Sequence, residues 1–119
     1  MYREITIGKE SIPMKATGAT PIRYRMVFKE DVLNEFATVG ENYGLAIDTI
    51  CKLAFIMAKS AEDNADLSKL NLNAYVEWLD KFEPFDITNA AESIIDLYLG
   101  NTEGMSEVKK KARGAVKGN

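Results

Sequence analysis

The most apolar stretch of the chain is residues 45–59 (LAIDTICKLAFIMAK), which is long enough for four helical turns. Eleven of its fifteen residues are apolar, and its charged residues are Asp48, Lys52 and Lys59. At 100° per residue, these three charges fall within a stripe about 40° wide. A helix with so little polar surface must be covered by other elements on most sides. We therefore predict that residues 45–59 form the central helix of a single core.

The first sixteen residues alternate between apolar and polar positions in two runs, 2–7 and 11–16, with Gly8-Lys9 between them. This pattern predicts a β-hairpin. The apolar residues that would share the inner face are Ile5 and Ile7 on the first strand and Ile12, Met14 and Ala16 on the second. Pro13 has no N–H to donate, so we expect its strand to be an edge or its nitrogen to face outwards.

Two short segments lie between the hairpin and the central helix. Thr20-Pro21 is typical of a helix start, with threonine as the N-cap, but residues 22–28 alternate as a strand does. These signals conflict, and we favour a helix over residues 21–28. The second segment, residues 31–39, places its apolar residues on one face and ends at Gly40, which predicts another helix. The residues on that face are Val32, Leu33, Phe36 and Val39.

Two more helices are predicted after the central one. Asn71 or Asn73 can cap the first, which ends near Phe82 because Pro84 follows. Its predicted inner face consists of Leu72, Tyr75, Val76, Leu79 and Phe82, widened by Trp78. Asp86 is the predicted cap of the last helix, and Gly100 its stop. The inner face of that helix would consist of Ile87, Ala90, Ala91, Ile94, Ile95 and Tyr98.

Together these elements predict an α+β fold that is mainly α, in which an N-terminal β-hairpin is followed by four to five helices around residues 45–59. A chain of 119 residues has room for one domain, which we place at residues 1–104. Residues 105–119 lack a sustained apolar face and carry five basic residues against Glu107, a net charge of +4. We expect them to form a mobile basic tail.

The charge distribution and the cysteine count narrow the possible partners. The chain has a net charge of −3, so residues 1–104 carry −7 once the +4 of the tail is removed. An acidic body of this kind is not typical of a nucleic-acid-binding protein. No window approaches eighteen consecutive apolar residues, so we expect no membrane span. A single cysteine excludes an internal disulfide and favours a cytoplasmic protein.

Catalytic and cofactor-binding groups are not evident in the sequence. It contains no histidine, the commonest general base near neutral pH and the commonest metal ligand. The eighteen acidic residues are spread over predicted helix faces and loops without forming an acid–base pair. Cys51 lies inside the predicted central helix, where burial would raise its pKa and leave it unreactive. We therefore expect no catalytic residue, no cofactor and no enzymatic activity.

The polar loop at residues 61–68 (AEDNADLS) has acids at alternate positions, a pattern that is found in calcium-binding loops. A calcium loop starting at Glu62 would need a glycine where Leu67 stands and a bidentate acid where Asn73 stands. Its other ligands would be Asn64, Asp66 and Ser68. The pattern fails at both required positions, so we predict a solvated loop and no metal site.

Phe82-Glu83-Pro84-Phe85 is the most suggestive stretch for binding a partner. Two large aromatic residues flank a helix-breaking proline at the corner between two helices, where full burial of both would be difficult. An aromatic residue left at the surface of such a corner is typical of a protein-binding patch. We therefore take Phe82 and Phe85 as the candidate partner-binding residues.

Several local strings also resemble those of tail assembly chaperones of long-tailed bacteriophages and prophages. The resemblance covers about residues 5–100, and the order and spacing of the strings carry it. The strings are Ala16-Thr17, Thr20-Pro21, Tyr24-Arg25, Phe28 and Asp31, then Leu53-Ala54 with Met57-Ala58, and Trp78-Leu79 with Phe82.

The resemblance implies a small, mostly helical, non-catalytic protein of the host cytoplasm. Such a protein would hold the long apolar tape-measure protein soluble and help to gather tail-tube subunits around it. The resemblance does not assign a functional role to any particular residue of this sequence. The alternative hypothesis is a small acidic adaptor or regulatory domain that binds another protein through its helical surface. An enzyme ranks third, because histidine and a paired set of acids are missing.

Overall fold

The computed structural model describes residues 1–37, 43–62 and 66–100. Within these ranges, a β-hairpin is followed by a mainly helical body, so the predicted α+β, mainly α fold is confirmed. The elements are β1 (Tyr2–Ile7), β2 (Glu10–Lys15), α1 (Thr20–Phe28), α2 (Val32–Ala37), α3 (Tyr43–Ala61), a 3₁₀ turn (Leu67–Lys69), α4 (Leu72–Leu79), α5 (Asp86–Asn89) and α6 (Ala91–Leu99).

The hairpin forms as its alternation predicts. β1 and β2 are antiparallel, with Ile5 opposite Ile12, and their inner face lies on α3. Ile5, Ile7 and Met14 are buried there, as is Ala16 just beyond β2. The two-stranded sheet makes both strands edges, which accommodates Pro13.

The turn between the strands requires glycine. Gly8 has a φ of +64°, in the left-handed region, and a Cβ at this position would lie 2.5 Å from the carboxylate of Asp86. This close approach brings the start of α5 against the hairpin turn.

Helix α3 is the centre of the core, which confirms the prediction for residues 45–59. Every residue from 53 to 58 is buried, and α3 contacts β2, α1, α2, α4 and α6. Its charged stripe is held by ion pairs along the edge of the helix. The ammonium of Lys52 lies 2.9 Å from the carboxylate of Asp48 and also pairs with Glu30, while Lys59 pairs with Glu62 at 3.0 Å.

A chain of aromatic rings joins α1 and α4 across α3. The ring of Phe55 on α3 contacts Phe28 at 6.3 Å, Tyr75 at 5.5 Å and Trp78 at 5.8 Å between centroids. All three contacts are edge-to-face, the arrangement that the aromatic quadrupole favours. Trp78 extends the chain to Phe82, 4.9 Å away. These rings determine which side of α4 faces the core.

The face predicted for α4 is wrong in part. Tyr75 and Trp78 are buried and Leu79 and Phe82 are half-buried, but Leu72 and Val76 are 59% and 53% exposed. Contact with Phe55 centres the buried face between Tyr75 and Trp78, which turns Leu72 and Val76 outwards. The helix also ends at Leu79, earlier than predicted. Of the two candidate caps, Asn71 is the one used, and its Oδ1 accepts the N–H of Ala74 at 2.9 Å.

Two other predicted caps are also wrong, although the helices themselves form. Thr20 lies inside α1, is fully buried, and accepts the N–H of Thr17 at 2.9 Å, so its hydroxyl closes the preceding turn. Asp86 lies inside α5 and accepts the N–H of Glu83 at 2.9 Å. In both cases, the side-chain oxygen satisfies a turn N–H upstream and is not available to cap the helix.

The last helix is divided into α5 and α6 at Ala90, where the backbone departs from helical angles (φ −96°, ψ 1°). Its predicted inner face is nevertheless confirmed, and α6 ends at Gly100 as expected. The buried residues of that face are Ile87, Ala90, Ala91, Ile94, Ile95 and Tyr98, and Leu97 and Leu99 are buried as well.

Some predictions lie outside the described residues. A helix was predicted at residues 31–39, and α2 covers Val32–Ala37 of it, with Val32 buried. Val39 and Gly40 lie outside the described residues, and the side chains of Leu33 and Phe36 are not described either. Asn64 and the basic tail at residues 105–119 also lie outside.

Candidate functional site

The acidic side chains do not gather into a metal-binding cluster anywhere in the described ranges. In the loop considered for calcium, the carboxylate of Asp66 accepts both the N–H of Ser68, at 3.1 Å, and its hydroxyl. These bonds close the 3₁₀ turn that leads into α4. The carboxylate therefore has a local structural role.

Cys51 is half-buried on α3, where burial and the nearby charge of Asp48 raise its pKa to about 11. Both effects disfavour the thiolate, which is the reactive form of cysteine. The prediction of a raised pKa is confirmed, and the thiol is predominantly protonated at neutral pH.

One polar cluster lies within the helical body and ties three helices together. Glu35 on α2 accepts the hydroxyl of Tyr24 on α1 at 3.1 Å and the hydroxyl of Thr49 on α3 at 2.7 Å. Burial raises the pKa of the Tyr24 hydroxyl, and the charge of Glu35 raises it further, so Tyr24 remains a donor. Each carboxylate oxygen accepts a hydroxyl, which is the arrangement of a structural link between helices.

The two predicted partner-binding residues occupy different environments. Phe82 is half-buried with its ring edge-on to Trp78, whereas Phe85 is 72% exposed. A shallow cavity of about 170 Å³ beside Phe82 is lined by Trp78, Ile12 and Pro13 among others. At this aromatic corner, Phe85 is the side chain that can be covered by a partner, and Phe82 forms the edge of the core behind it.

A second apolar surface was missed by the sequence reasoning. On α1, Ile22 and Met26 are 53% and 65% exposed, and Leu72 and Val76 are the corresponding exposed pair on α4. Residues four apart lie on the same side of a helix, so each pair forms a short apolar row. The composition of α1 could have predicted this surface, because five of its nine residues have large apolar side chains, which is more than one helix face can bury.

A groove runs past one residue of each row, Met26 on α1 and Leu72 on α4. Its first part encloses about 340 Å³ and is lined by Arg23, Met26, Val27, Leu67, Ser68 and Leu70. A more open continuation shares Met26, Val27 and Leu70 and adds Lys29, Asn71, Leu72 and Asn73. We refer to the groove lined by these residues as the α1–α4 groove.

The charges along the α1–α4 groove differ in sign from those of the protein as a whole. Among the described residues, its charged lining residues are Arg23 and Lys29, and none of the described carboxylates lines it. Neither cation forms an ion pair with a described residue. The nearby carboxylate of Asp66 is bonded to Ser68 and lies 3.9 Å from Lys69. The groove is therefore a basic, apolar region on a protein with a net charge of −3.

Comparisons of this chain with protein-family models, with curated proteins and with solved structures find no match. Separately, none of the helices in the described ranges has the length and apolar content needed to cross a bilayer.

Proposed function

We propose that this protein is a non-catalytic tail assembly chaperone of a long-tailed bacteriophage or prophage, acting in the cytoplasm of the host cell. It binds the tape-measure protein, keeps it soluble, and helps to recruit tail-tube subunits. The local strings between residues 5 and 100 that resemble this family support the proposal, as does the mainly helical fold.

The observation that carries the proposal is the exposed apolar surface in two separate places. Phe85 projects from the corner between α4 and α5, while Met26 and Leu72 line the α1–α4 groove. Isolated apolar residues on a surface are ordinary, but exposed apolar residues that line a groove are typical of protein-binding sites. Apolar contacts suit a chaperone because burial of apolar surface is non-directional and tolerates many client sequences.

The second candidate function is a small acidic adaptor or regulatory domain. The α1–α4 groove favours it, because one groove of this kind holds one segment of a single partner. The genes on either side distinguish the two functions. Tape-measure and tail-tube genes as neighbours would support the chaperone, and a metabolic operon would contradict it.

The direct test is co-expression with the tape-measure protein encoded beside this chain. We expect the client to remain in the soluble fraction and to co-purify with this protein. Phe85→Ser should reduce the amount of client recovered without changing the circular dichroism spectrum, because the side chain is largely in solvent. Tyr2→Ser is the matched control, since Tyr2 is a 58% exposed aromatic on β1.

Failure of the wild-type chain to keep any tail protein of its own gene cluster soluble would show that the chaperone proposal is wrong. If client recovery is retained in Phe85→Ser, the contact lies elsewhere on the surface. If Phe85→Ser unfolds the domain, then the aromatic corner belongs to the core.

A further inference from the structure

We propose that the α1–α4 groove binds an amphipathic helix of the client whose apolar face is bordered by aspartate or glutamate residues. The identity of the client rests on the proposed function, but the chemistry of the segment is inferred from the groove alone. The inference therefore specifies which part of a partner this surface would select.

The apolar face of the segment is inferred from the exposed apolar residues in and beside the groove. Ile22 and Met26 on α1, and Leu72 and Val76 on α4, each repeat at four residues. Met26 and Leu72 line the groove, and the half-buried Val27 and Leu70 form part of its floor. An amphipathic helix places its own apolar residues at spacings of three and four, which matches exposed apolar residues one turn apart on α1 and on α4.

The charge of the segment follows from the two cations. Arg23 and Lys29 both line the groove and both come from α1, one near its middle and one at its end. A ligand with basic flanks would be repelled by both, whereas carboxylates bordering its apolar face would pair with them. The polar residues that complete the lining are Ser68, Asn71 and Asn73, which are neutral.

The backbone at Lys29 provides a second reason to assign that side chain to binding. Lys29 has φ 60° and ψ 31°, the left-handed conformation that glycine usually adopts where a helix ends. Its side chain contributes to the lining of the groove and forms no ion pair with a described residue. A strained residue at the edge of a groove is a position where binding, more than folding, accounts for the side chain.

The test uses two fluorescein-labelled synthetic peptides of about 18 residues, or five helical turns. Both carry the same leucine face, but one has glutamates on its flanks and the other has lysines. Fluorescence anisotropy with the wild-type protein should show the glutamate peptide binding about tenfold more tightly than the lysine peptide. Added salt should reduce this difference, because the charges lie at the surface.

Three variants identify the site. Arg23→Glu should weaken binding of the glutamate peptide about fivefold, and Lys29→Gly about twofold to threefold. Arg25→Glu is the matched control, because Arg25 is an exposed cation on the same helix that does not line the groove. Met26→Ser should weaken both peptides, since it removes apolar contact and leaves the charges in place. Circular dichroism checks that each variant is folded.

Equal binding of the two peptides, or equal effects of Arg23→Glu and Arg25→Glu, would show that the charge assignment is wrong. Absence of binding by either peptide would overturn the docking site itself.

The co-expression experiment separates this result from the proposed function. If client recovery depends on Phe85 but not on Met26 or Arg23, the chaperone proposal stands and the groove inference fails. If the glutamate peptide binds the groove but no tail protein is solubilised, the groove inference stands and the chaperone proposal fails.

Discussion

Lys29 is a residue whose backbone conformation and side chain serve different purposes. It ends α1 with its N–H donating to the carbonyl of Arg25 at 2.8 Å, and among the described residues it is the only one other than glycine with a positive φ. The left-handed conformation costs a residue with a side chain about 1–2 kcal/mol. A cation at the end of a helix recovers only about 0.3–1 kcal/mol through the helix dipole.

We therefore expect Lys29→Gly to increase the free energy of unfolding by about 0.5–1 kcal/mol, as glycine adopts this conformation without strain. Urea denaturation monitored by circular dichroism measures the change. Lys29→Ala is the control, because it also removes the charge but retains the strain, and it should give no gain. If the two variants have the same stability, the conformation of Lys29 is not a source of strain.

At the scale of elements, α2 depends on its neighbours for its position. Its six residues are too few to form a stable helix alone. The side chain of Val32 is buried in the core and anchors α2 there. The carboxylate of Glu35 links α2 to α1 by a hydrogen bond from Tyr24 and to α3 by a hydrogen bond from Thr49. Both hydroxyl-bearing residues are almost completely buried, so neither hydroxyl has ready access to water if the carboxylate is removed.

Glu35→Ala should lower the free energy of unfolding by about 2 kcal/mol, because it leaves two buried hydroxyls without their acceptor. Glu35→Gln should cost less, since the amide oxygen still accepts one of them. Urea denaturation gives both values, and hydrogen exchange should show faster opening of α2 in the alanine variant. A loss below about 0.5 kcal/mol for Glu35→Ala would mean that this cluster does not hold the three helices together.

At the scale of the whole molecule, charge is divided between an acidic body and a basic C-terminal segment. Residues 105–119 carry +4, which leaves −7 for residues 1–104. The segment has Val108 and Val116 but no sustained apolar face, so it offers little apolar surface to bury against the body.

Deletion of residues 105–119 should therefore leave the melting temperature nearly unchanged. Thermal unfolding followed by circular dichroism, at low and at physiological salt, measures the effect. A fall of more than a few degrees would show that the segment docks on the body, and sensitivity of that fall to salt would indicate an electrostatic contact with the acidic surface.

The elements that could be predicted from the sequence are those in which the periodicity of apolar residues is compatible with only one type of secondary structure and one buried face. Alternation across Gly8-Lys9 predicts the hairpin, because inner and outer positions separate cleanly at a period of two. The almost uninterrupted apolar surface of residues 45–59 requires burial on most sides and so predicts the central helix. The inner face of α5 and α6 was predictable for the same reason, since its apolar residues recur at helical spacing.

Tertiary structure decided the features in which several local solutions compete. Both α1 and α4 carry more large apolar residues than one face can bury, and contact with Phe55 on α3 selected which of them turned inwards. Leu72 and Val76 were left outside, and Leu72 lines, with Met26, a groove that exists only once the two helices are placed. The exposure of Phe85 was decided similarly, when Phe82 packed against Trp78. Periodicity reports how much apolar surface a helix carries, but only the neighbouring elements determine which part of it remains in water.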